Sequence, residues 1–329
     1  MEGVEAMISL QQIREAQQRI RGIAVRTPLI LCPGHDESRR LYFKPENFQP
    51  TGAFKLRGAY NTIASLSPEE RKRGVVAHSS GNHAQAVAYA ARALGVRAVV
   101  VMPQNAPQIK KEKTAEYGAE IVLVGNSSEE RTAKAKALAE ERGLVPVPPY
   151  DDERVMAGQG TLGLEIIEDL PEAGLVLVPV SGGGLIGGVA AAIKLSKPGV
   201  RVIGVEPEFA ADAQASLRSG KVVSFTAEQV SRTIADGLRV QHLGELTWPH
   251  VQAYVDDIVT VSEDEILQAM RKLALDARIV AEPSGAVAFA AWLYHQRELP
   301  AAAHNVAVIS GGNVEPELLA RVVGGGQNS

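Results

Sequence analysis

From residue 75 onward the chain alternates short apolar runs with segments of helical spacing. The runs "VVAHSS" (75–80), "RAVVVMP" (97–103), "EIVLVG" (120–125) and "LVPVPP" (144–149) begin about 23 residues apart. Ala-rich or charged segments with helical spacing fill 82–94, 107–117 and 128–142. A second set, "LVLVPVS" (175–181), "VRVIGVEP" (200–207), "DIVTVSE" (257–263) and "NVAVISGG" (305–312), goes with helical patterns over 156–169, 185–196, 209–219, 263–278 and 284–298. Apolar strands alternating with amphipathic helices indicate βα units around buried, mostly parallel sheets. The units share a period but no residue pattern, so they are not a sequence repeat. The reading is an α/β protein of two lobes, each a mostly parallel sheet flanked by helices. The smaller, mobile lobe spans 74–147; the larger takes 1–73 plus 148–329, so the chain leaves it and returns. A ligand in such a fold belongs beyond the carboxyl ends of the strands, between the lobes. Ahead of the first unit, 9–21 reads as a helix capped by Ser9, with Leu10, Ile13 and Ile20 on its apolar stripe. Pro28 then holds Thr27 in extended chain.

Composition narrows the class. With 329 residues, 45% hydrophobic and 22% charged, the chain can bury a large core. Its formal net charge is −4 and it has no basic tail, which argues against a nucleic-acid partner. The densest basic run, "IKKEK" at 109–113, reads as a solvated helix face. The single cysteine, Cys32, can form neither an internal disulfide nor a cysteine-rich zinc site, and a reduced, cytoplasmic setting is expected. The N-terminus lacks an apolar signal core, and no apolar stretch approaches the roughly 20 residues that span a bilayer. The expected partner is a small molecule rather than a nucleic acid or a membrane.

Three strand ends and one lysine carry the candidate chemistry. In "PVSGGGLIGG" (179–188) a strand runs into glycines and then an apolar helix. Residues without Cβ let main-chain N–H groups crowd onto an oxyanion, and the helix N-terminus adds positive dipole. This suits a phosphate; as a plain strand-to-helix turn it would need no ligand. It matches neither the dinucleotide fingerprint nor the nucleotide-hydrolase loop. "HSSGNHAQAVAYAA" (78–91) places Ser79, Ser80, Asn82 and His83 at another strand-to-helix junction, suited to a carboxylate or, more simply, to N-capping by Ser80. "VISGGNVEP" (308–316) offers Ser310 at a third strand end. Lys55, in "QPTGAFKLRGAYN" (49–61), completes a set that fits pyridoxal phosphate, held through its phosphate and by a Schiff base.

In these motifs the chain resembles the fold-type II pyridoxal-phosphate enzymes (tryptophan synthase β-like), in the serine/threonine dehydratase and serine racemase branch. "TGAFKLRGA" is similar to that branch's lysine motif, "SSGNHAQA" to its asparagine loop, "SGGGL" to its phosphate loop and "SGGN" to its final cofactor contact. "AGQGT" (157–161) and "IADG" (234–237) match as well. The resemblance implies these roles. Lys55 carries the cofactor and, released by substrate, removes the α-proton. Phe54 packs on the ring, and Asn82 bonds its 3′-oxygen. Gly182, Gly183, Gly184 and Leu185 hold the phosphate through N–H groups. Ser310 faces the pyridine nitrogen, where a neutral hydroxyl favours prompt β-elimination. Ser79, Ser80, Asn82 and His83 meet the substrate carboxylate. The implied reaction takes L-threonine or L-serine to 2-oxobutyrate or pyruvate plus ammonia. Alternatives are serine racemase, with Ser80 returning a proton on the face opposite the lysine, and dehydration of another β-hydroxy amino acid such as threo-3-hydroxyaspartate. "QHLGELTWP" (241–249) is faintly similar to the hydroxyaspartate branch.

The resemblance extends to a Mg2+ site (or Ca2+ or Mn2+) formed by Glu206, Ala210 and Asp212; without metal these are two solvated acids. Arg131 matches a position that clamps the substrate carboxylate in racemases, and equally reads as a helix-surface arginine. A symmetric homodimer is expected. Three departures stand out: Ala53 and Ser181 replace the family's usual serine and glycine, and the segment from Leu29 to Tyr42 is short.

Overall fold

A computed structural model describes residues 7–34, 36–79, 81–106 and 108–324. Its strands are β1 (Ile30–Leu31), β2 (Arg40–Pro45), β3 (Val75–His78), β4 (Ala98–Pro103), β5 (Glu120–Val124), β6 (Val145–Pro146), β7 (Leu175–Pro179), β8 (Arg201–Pro207), β9 (Asp257–Val261) and β10 (His304–Ile309). They form a six-stranded sheet in the order β1-β2-β10-β7-β8-β9 and a four-stranded sheet in the order β5-β4-β3-β6. All pairings are parallel except that of β1 with β2. The chain contributes β1 and β2 to the large sheet, builds the small one, and returns.

Every run read as a strand forms one, because each is apolar on both faces. β4 and β7 are buried at every position. Each such Val or Leu stabilises by about 1.5–3 kcal/mol over its exposed state. One core cluster joins Leu177, Val205, Val259 and Ile309 to Val287 and Phe289 of the helix Pro283–Tyr294. A second joins Val176, Val202 and Val306 to Ile186 and Val189 of the helix Gly184–Ser196. The strands stop earlier than the apolar runs. Ser79, Ser181 and Ser310 all lie past strand ends, where the chain turns away.

Helix ends follow local chemistry. The first helix, Leu10–Arg19, starts on a capping box between Ser9 and Gln12. The helix predicted from 156 begins at Glu153, because Asp152 accepts from the N–H groups of Arg154 and Val155. The one predicted over 263–278 is regular only to Lys272, then widens into a π-type turn over Leu273–Ala277. The segment 209–219 divides into a short turn, Glu208–Ala210, and the helix Asp212–Ser219.

β2 has no counterpart among the apolar runs. Its Lys44 is fully buried, yet donates to Glu165 Oε2 and to the Thr27 carbonyl, each at 2.6 Å. Arg57 is also fully buried and joins Glu46 and Glu165, each at 2.7 Å. This quartet ties β2, the turn after it and the helix Glu153–Asp169 to the helix Lys55–Ala64, whose Leu56, Ala59 and Ile63 enter the core.

Candidate active site

Lys55 is the first residue of its helix, and the turn before it is joined to the end of β10. Phe54 N–H donates to Ser310 O at 3.0 Å, and Gly312 N–H donates to Gly52 O at 2.9 Å. The lysine and "SGGN" motifs, some 250 residues apart in sequence, thus meet in space. Lys55 Nζ donates to Pro149 O at 2.6 Å and lies 5.1 Å from the centre of the Phe54 ring. Burial alone brings its pKa down to about 8.

Pro149 leads into Tyr150, which lies against the glycine loop. A Cβ on Gly182 would fall 2.5 Å from the Tyr150 ring, and one on Gly184 would fall 2.8 Å from Tyr150 Cα. Gly183 has φ +91°, a left-handed conformation that favours glycine. The helix Gly184–Ser196 starts here with Leu185 buried in its first turn, where N–H groups lack intrahelical acceptors. Thr247 Oγ1 braces the loop by donating to Gly182 O at 2.6 Å. Asp151 in turn caps the Thr247 helix, accepting from Leu246 N–H at 2.8 Å. Ser181 Oγ is buried with no hydrogen-bond partner among the described residues. A Cβ-free cradle, the N–H groups of a helix start, an orphaned hydroxyl and a partly buried amine with a depressed pKa fit pyridoxal phosphate.

Asn82 opens the helix Asn82–Ala93. Its Nδ2 donates to Glu282 Oε1 at 2.5 Å, and its Oδ1 accepts from Asn313 Nδ2 at 2.9 Å. Ser79 Oγ accepts from Gly81 N–H at 3.1 Å. Ser80 lies outside the described residues. His83 is buried, and its Nε2 faces the Val147 carbonyl at 2.9 Å. A carbonyl only accepts, so that nitrogen carries the proton. Nδ1, buried and without a partner among the described residues, then presents a lone pair. Burial first, and the Lys55 charge second, push His83 down to about 3, so it is neutral. A carboxylate here is therefore better met by His83's main-chain N–H than by its ring. Ser310 is buried, and its Oγ donates to Ser284 O at 3.3 Å. That long bond can be exchanged for a ligand acceptor.

Arg131 stands apart from this group. It donates through Nη1 to Asn126 O at 3.0 Å, and of the residues around the site it acts electrostatically on His78. Glu206 is buried and accepts from Ala213 N–H (3.1 Å) and Gln214 N–H (2.8 Å). Burial, then the neighbouring Asp212 carboxylate, push Glu206 well above its ordinary range, and burial raises Asp212 to about 7. Asp212 Oδ2 is buried with no hydrogen-bond partner among the described residues, and Ala210, two residues earlier, is buried too. Among the described residues no group of three or more His, Cys, Asp or Glu side chains gathers to hold a metal. A hard cation here would rest on two carboxylates, the Ala210 carbonyl and water, and the orphaned Asp212 oxygen fits that.

Sequence reasoning did not find Tyr150, Thr247, Glu282 or Asn313 as site residues. Asn313 and Thr247 stood inside stretches already singled out, but Tyr150 and Glu282 carry no local signal; each acts through a contact made across the fold.

The sequence model of the family described as pyridoxal-phosphate dependent enzyme matches residues 20–311. The L-threonine ammonia-lyase of Thermotoga maritima is 47% identical over 325 residues, spanning 97% of this chain and 79% of that protein. The L-threo-3-hydroxyaspartate ammonia-lyase of Saccharomyces cerevisiae is 41% identical over 95% of each. The structure of maize serine racemase superposes with a TM-score of 0.92 at 40% identity, covering 96% of this chain and 97% of that one. Among the described residues no helix is long and apolar enough to cross a membrane. By this agreement in sequence and in fold, the chain belongs to the pyridoxal-phosphate-dependent enzymes of fold type II, in the group of threonine and serine ammonia-lyases and serine racemases.

Proposed function

We propose that the protein is an ammonia-lyase that converts L-threonine or L-serine to 2-oxobutyrate or pyruvate plus ammonia. The observation that carries this reading is Lys55: a partly buried amine, its pKa lowered to about 8, beside the glycine cradle and Ser310. Bound pyridoxal phosphate supplies an electron sink that acidifies the substrate's α-hydrogen. Lys55 holds the cofactor and then takes the α-proton. The N–H groups of the Gly184–Ser196 helix start anchor the phosphate, with Ser181 Oγ as a further donor. Main-chain N–H groups at Asn82 and His83 orient the substrate carboxylate, with Ser79 beside them. Ser310 would face the pyridine nitrogen of the bound cofactor with a neutral hydroxyl, a partner that would suit loss of the β-hydroxyl. Closure of the four-stranded lobe over 74–147 would exclude water and bring Arg131 towards the carboxylate.

The likeness to maize serine racemase favours racemisation as a second reading. Holoenzyme supplied in turn with L-threonine, L-serine and L-threo-3-hydroxyaspartate separates them, with oxo acids and D-serine quantified after chiral separation. Oxo acid from threonine and serine, well above D-serine, is expected. D-serine equal to or above pyruvate would make the protein a racemase, and oxo acid from hydroxyaspartate alone would move the substrate.

We also propose that Glu206, Asp212 and the Ala210 carbonyl hold Mg2+, Ca2+ or Mn2+. Raising Ca2+ to about 100 times its dissociation constant is expected to stabilise the protein by about 2.7 kcal/mol, seen as a higher thermal midpoint. Asp212→Asn should remove that increment; an equal increment in the variant would place the cation elsewhere.

A cytoplasmic homodimer completes this reading. Val25, Phe48 and Val280 are exposed apolar residues. Gln49 hydrogen-bonds the Val25 main chain and Asn47 the Val280 carbonyl, which brings the three towards one patch. Sedimentation equilibrium at twice the chain mass would support it, and a monomer would refute it.

A further inference from the structure

Asn82 is held by two side chains that no role yet covers, and the direction of their hydrogen bonds is set by the backbone. Asn313 Nδ2 donates to the Thr51 carbonyl at 2.9 Å. Because a carbonyl can only accept, the amide nitrogen of Asn313 must point that way. The same nitrogen reaches Asn82 at 2.9 Å, so the Asn82 atom facing it is the oxygen. The Asn82 nitrogen is then the atom turned to Glu282 Oε1, at 2.5 Å. One main-chain carbonyl thus orients two amides in series. Of the two N–H donors on Asn82, one is engaged by Glu282 and one remains.

The supports are themselves rigid. Thr51 precedes Gly52, whose φ of +71° and close approach to Asn313 (a Cβ would fall 2.5 Å from its Oδ1) keep that turn tight. Glu282 is buried, with its own N–H donating to Gly311 O at 3.1 Å. Around its carboxyl stand Asn82 from the small-sheet side, Gly311 below it, and the ion pair of Lys110 with Asp236, 2.7 Å apart. Glu282 Oε2 has no partner among the described residues.

We infer that Asn313 and Glu282 are positioning residues that lock the Asn82 amide with its remaining N–H turned to the ring oxygen of the cofactor. The inference rests on the reading above that Asn82 faces that oxygen. An N–H there stabilises the oxygen's anionic form, so its orientation governs both the visible spectrum of the bound cofactor and how firmly the cofactor is kept. Without the lock the amide can turn and present its own oxygen, which repels the ring oxygen.

The test uses holoenzyme variants and reads the balance between visible absorption bands and the rate of cofactor release to a carbonyl trap. Asn313→Asp, which cannot donate to Thr51 or Asn82, is expected to shift the band balance and speed release about tenfold, the effect of losing one hydrogen bond to a charged group. Glu282→Ala should do the same, while Glu282→Gln, whose carbonyl still accepts from Asn82, should stay near the parent. In an Asn82→Ala background, Asn313→Asp should change release by no more than about twofold, because it acts only through Asn82. A parental spectrum and release rate in Asn313→Asp, or its full effect persisting without Asn82, would overturn the inference. Should Asn313→Asp not fold, equal behaviour of Glu282→Ala and Glu282→Gln would overturn it. An Asn82→Ala spectrum identical to the parent's would instead sink the ring-oxygen reading, and this inference with it.

Discussion

Lys55→Ala is expected to lower turnover of L-threonine or L-serine by at least about 10⁴-fold. One amine is asked both to hold the cofactor and to move the α-proton; general-base action alone contributes about 10²–10⁴-fold, and a removed nucleophile costs more. The fold should survive the change, because among the described residues Lys55 donates its hydrogen bond to one carbonyl, that of Pro149, and closes no ion pair. Parental urea resistance of the apoprotein with lost turnover is therefore the expected pattern. Turnover within tenfold of the parent would refute the assignment. The same amine sets a pH dependence on the apoprotein. Burial disfavours its charged form, so the neutral amine appears as pH rises through about 8 rather than through the ordinary lysine value. The rate at which added cofactor is captured should climb about tenfold per pH unit below that point and level off above it. A rate still climbing steeply beyond pH 10 would mean an exposed, unperturbed lysine.

Arg57→Met is expected to destabilise the protein by about 3–5 kcal/mol, the cost of leaving buried charge uncompensated. Arg57 is fully buried and shares its guanidinium between Glu46 and Glu165, with bonds of 2.7–2.8 Å to both. Burial opposes ionisation of Glu46, yet Arg57, helped by Lys44 and the Thr27 hydroxyl, more than offsets it and holds that carboxyl below its usual range. Without Arg57, the two carboxylates would face Lys44 as the only remaining cation of the quartet. The sign of a second substitution separates this account from a simple loss of packing. Glu46→Met added to Arg57→Met removes the stranded charge and should restore part of the stability, a non-additivity that urea unfolding midpoints would measure. A loss under about 1 kcal/mol in Arg57→Met, or a double variant weaker than the sum of the singles, would refute it. Arg57 lies two residues from Lys55, and the quartet joins their helix to β2 and to the helix Glu153–Asp169, so loosening it should also slow cofactor capture.

These two residues show where the sequence is legible. Lys55 was found because its neighbours repeat a motif and because glycine loops elsewhere call for an anion. Arg57 and Lys44 were not, since a buried ion pair and a solvated one use the same residue types. β2 escaped for that reason: Lys44 breaks an apolar run that is nonetheless buried to its end. The strand runs around β3 to β10 and the helices between them followed from period alone, because a parallel sheet covered on both faces demands unbroken apolar residues. The glycine cradle was likewise local, built within one turn and the helix after it. Only the tertiary structure joined Phe54 to Ser310 and Gly52 to Gly312, braced Gly182 with Thr247, set the tautomer of His83 by the Val147 carbonyl, and aligned Asn82 between Asn313 and Glu282. Periodicity reports which residues are buried and helix signals report where the chain turns. Which donor meets which acceptor across 64 to 260 residues depends on how the sheets close, and that geometry leaves no mark on neighbouring positions.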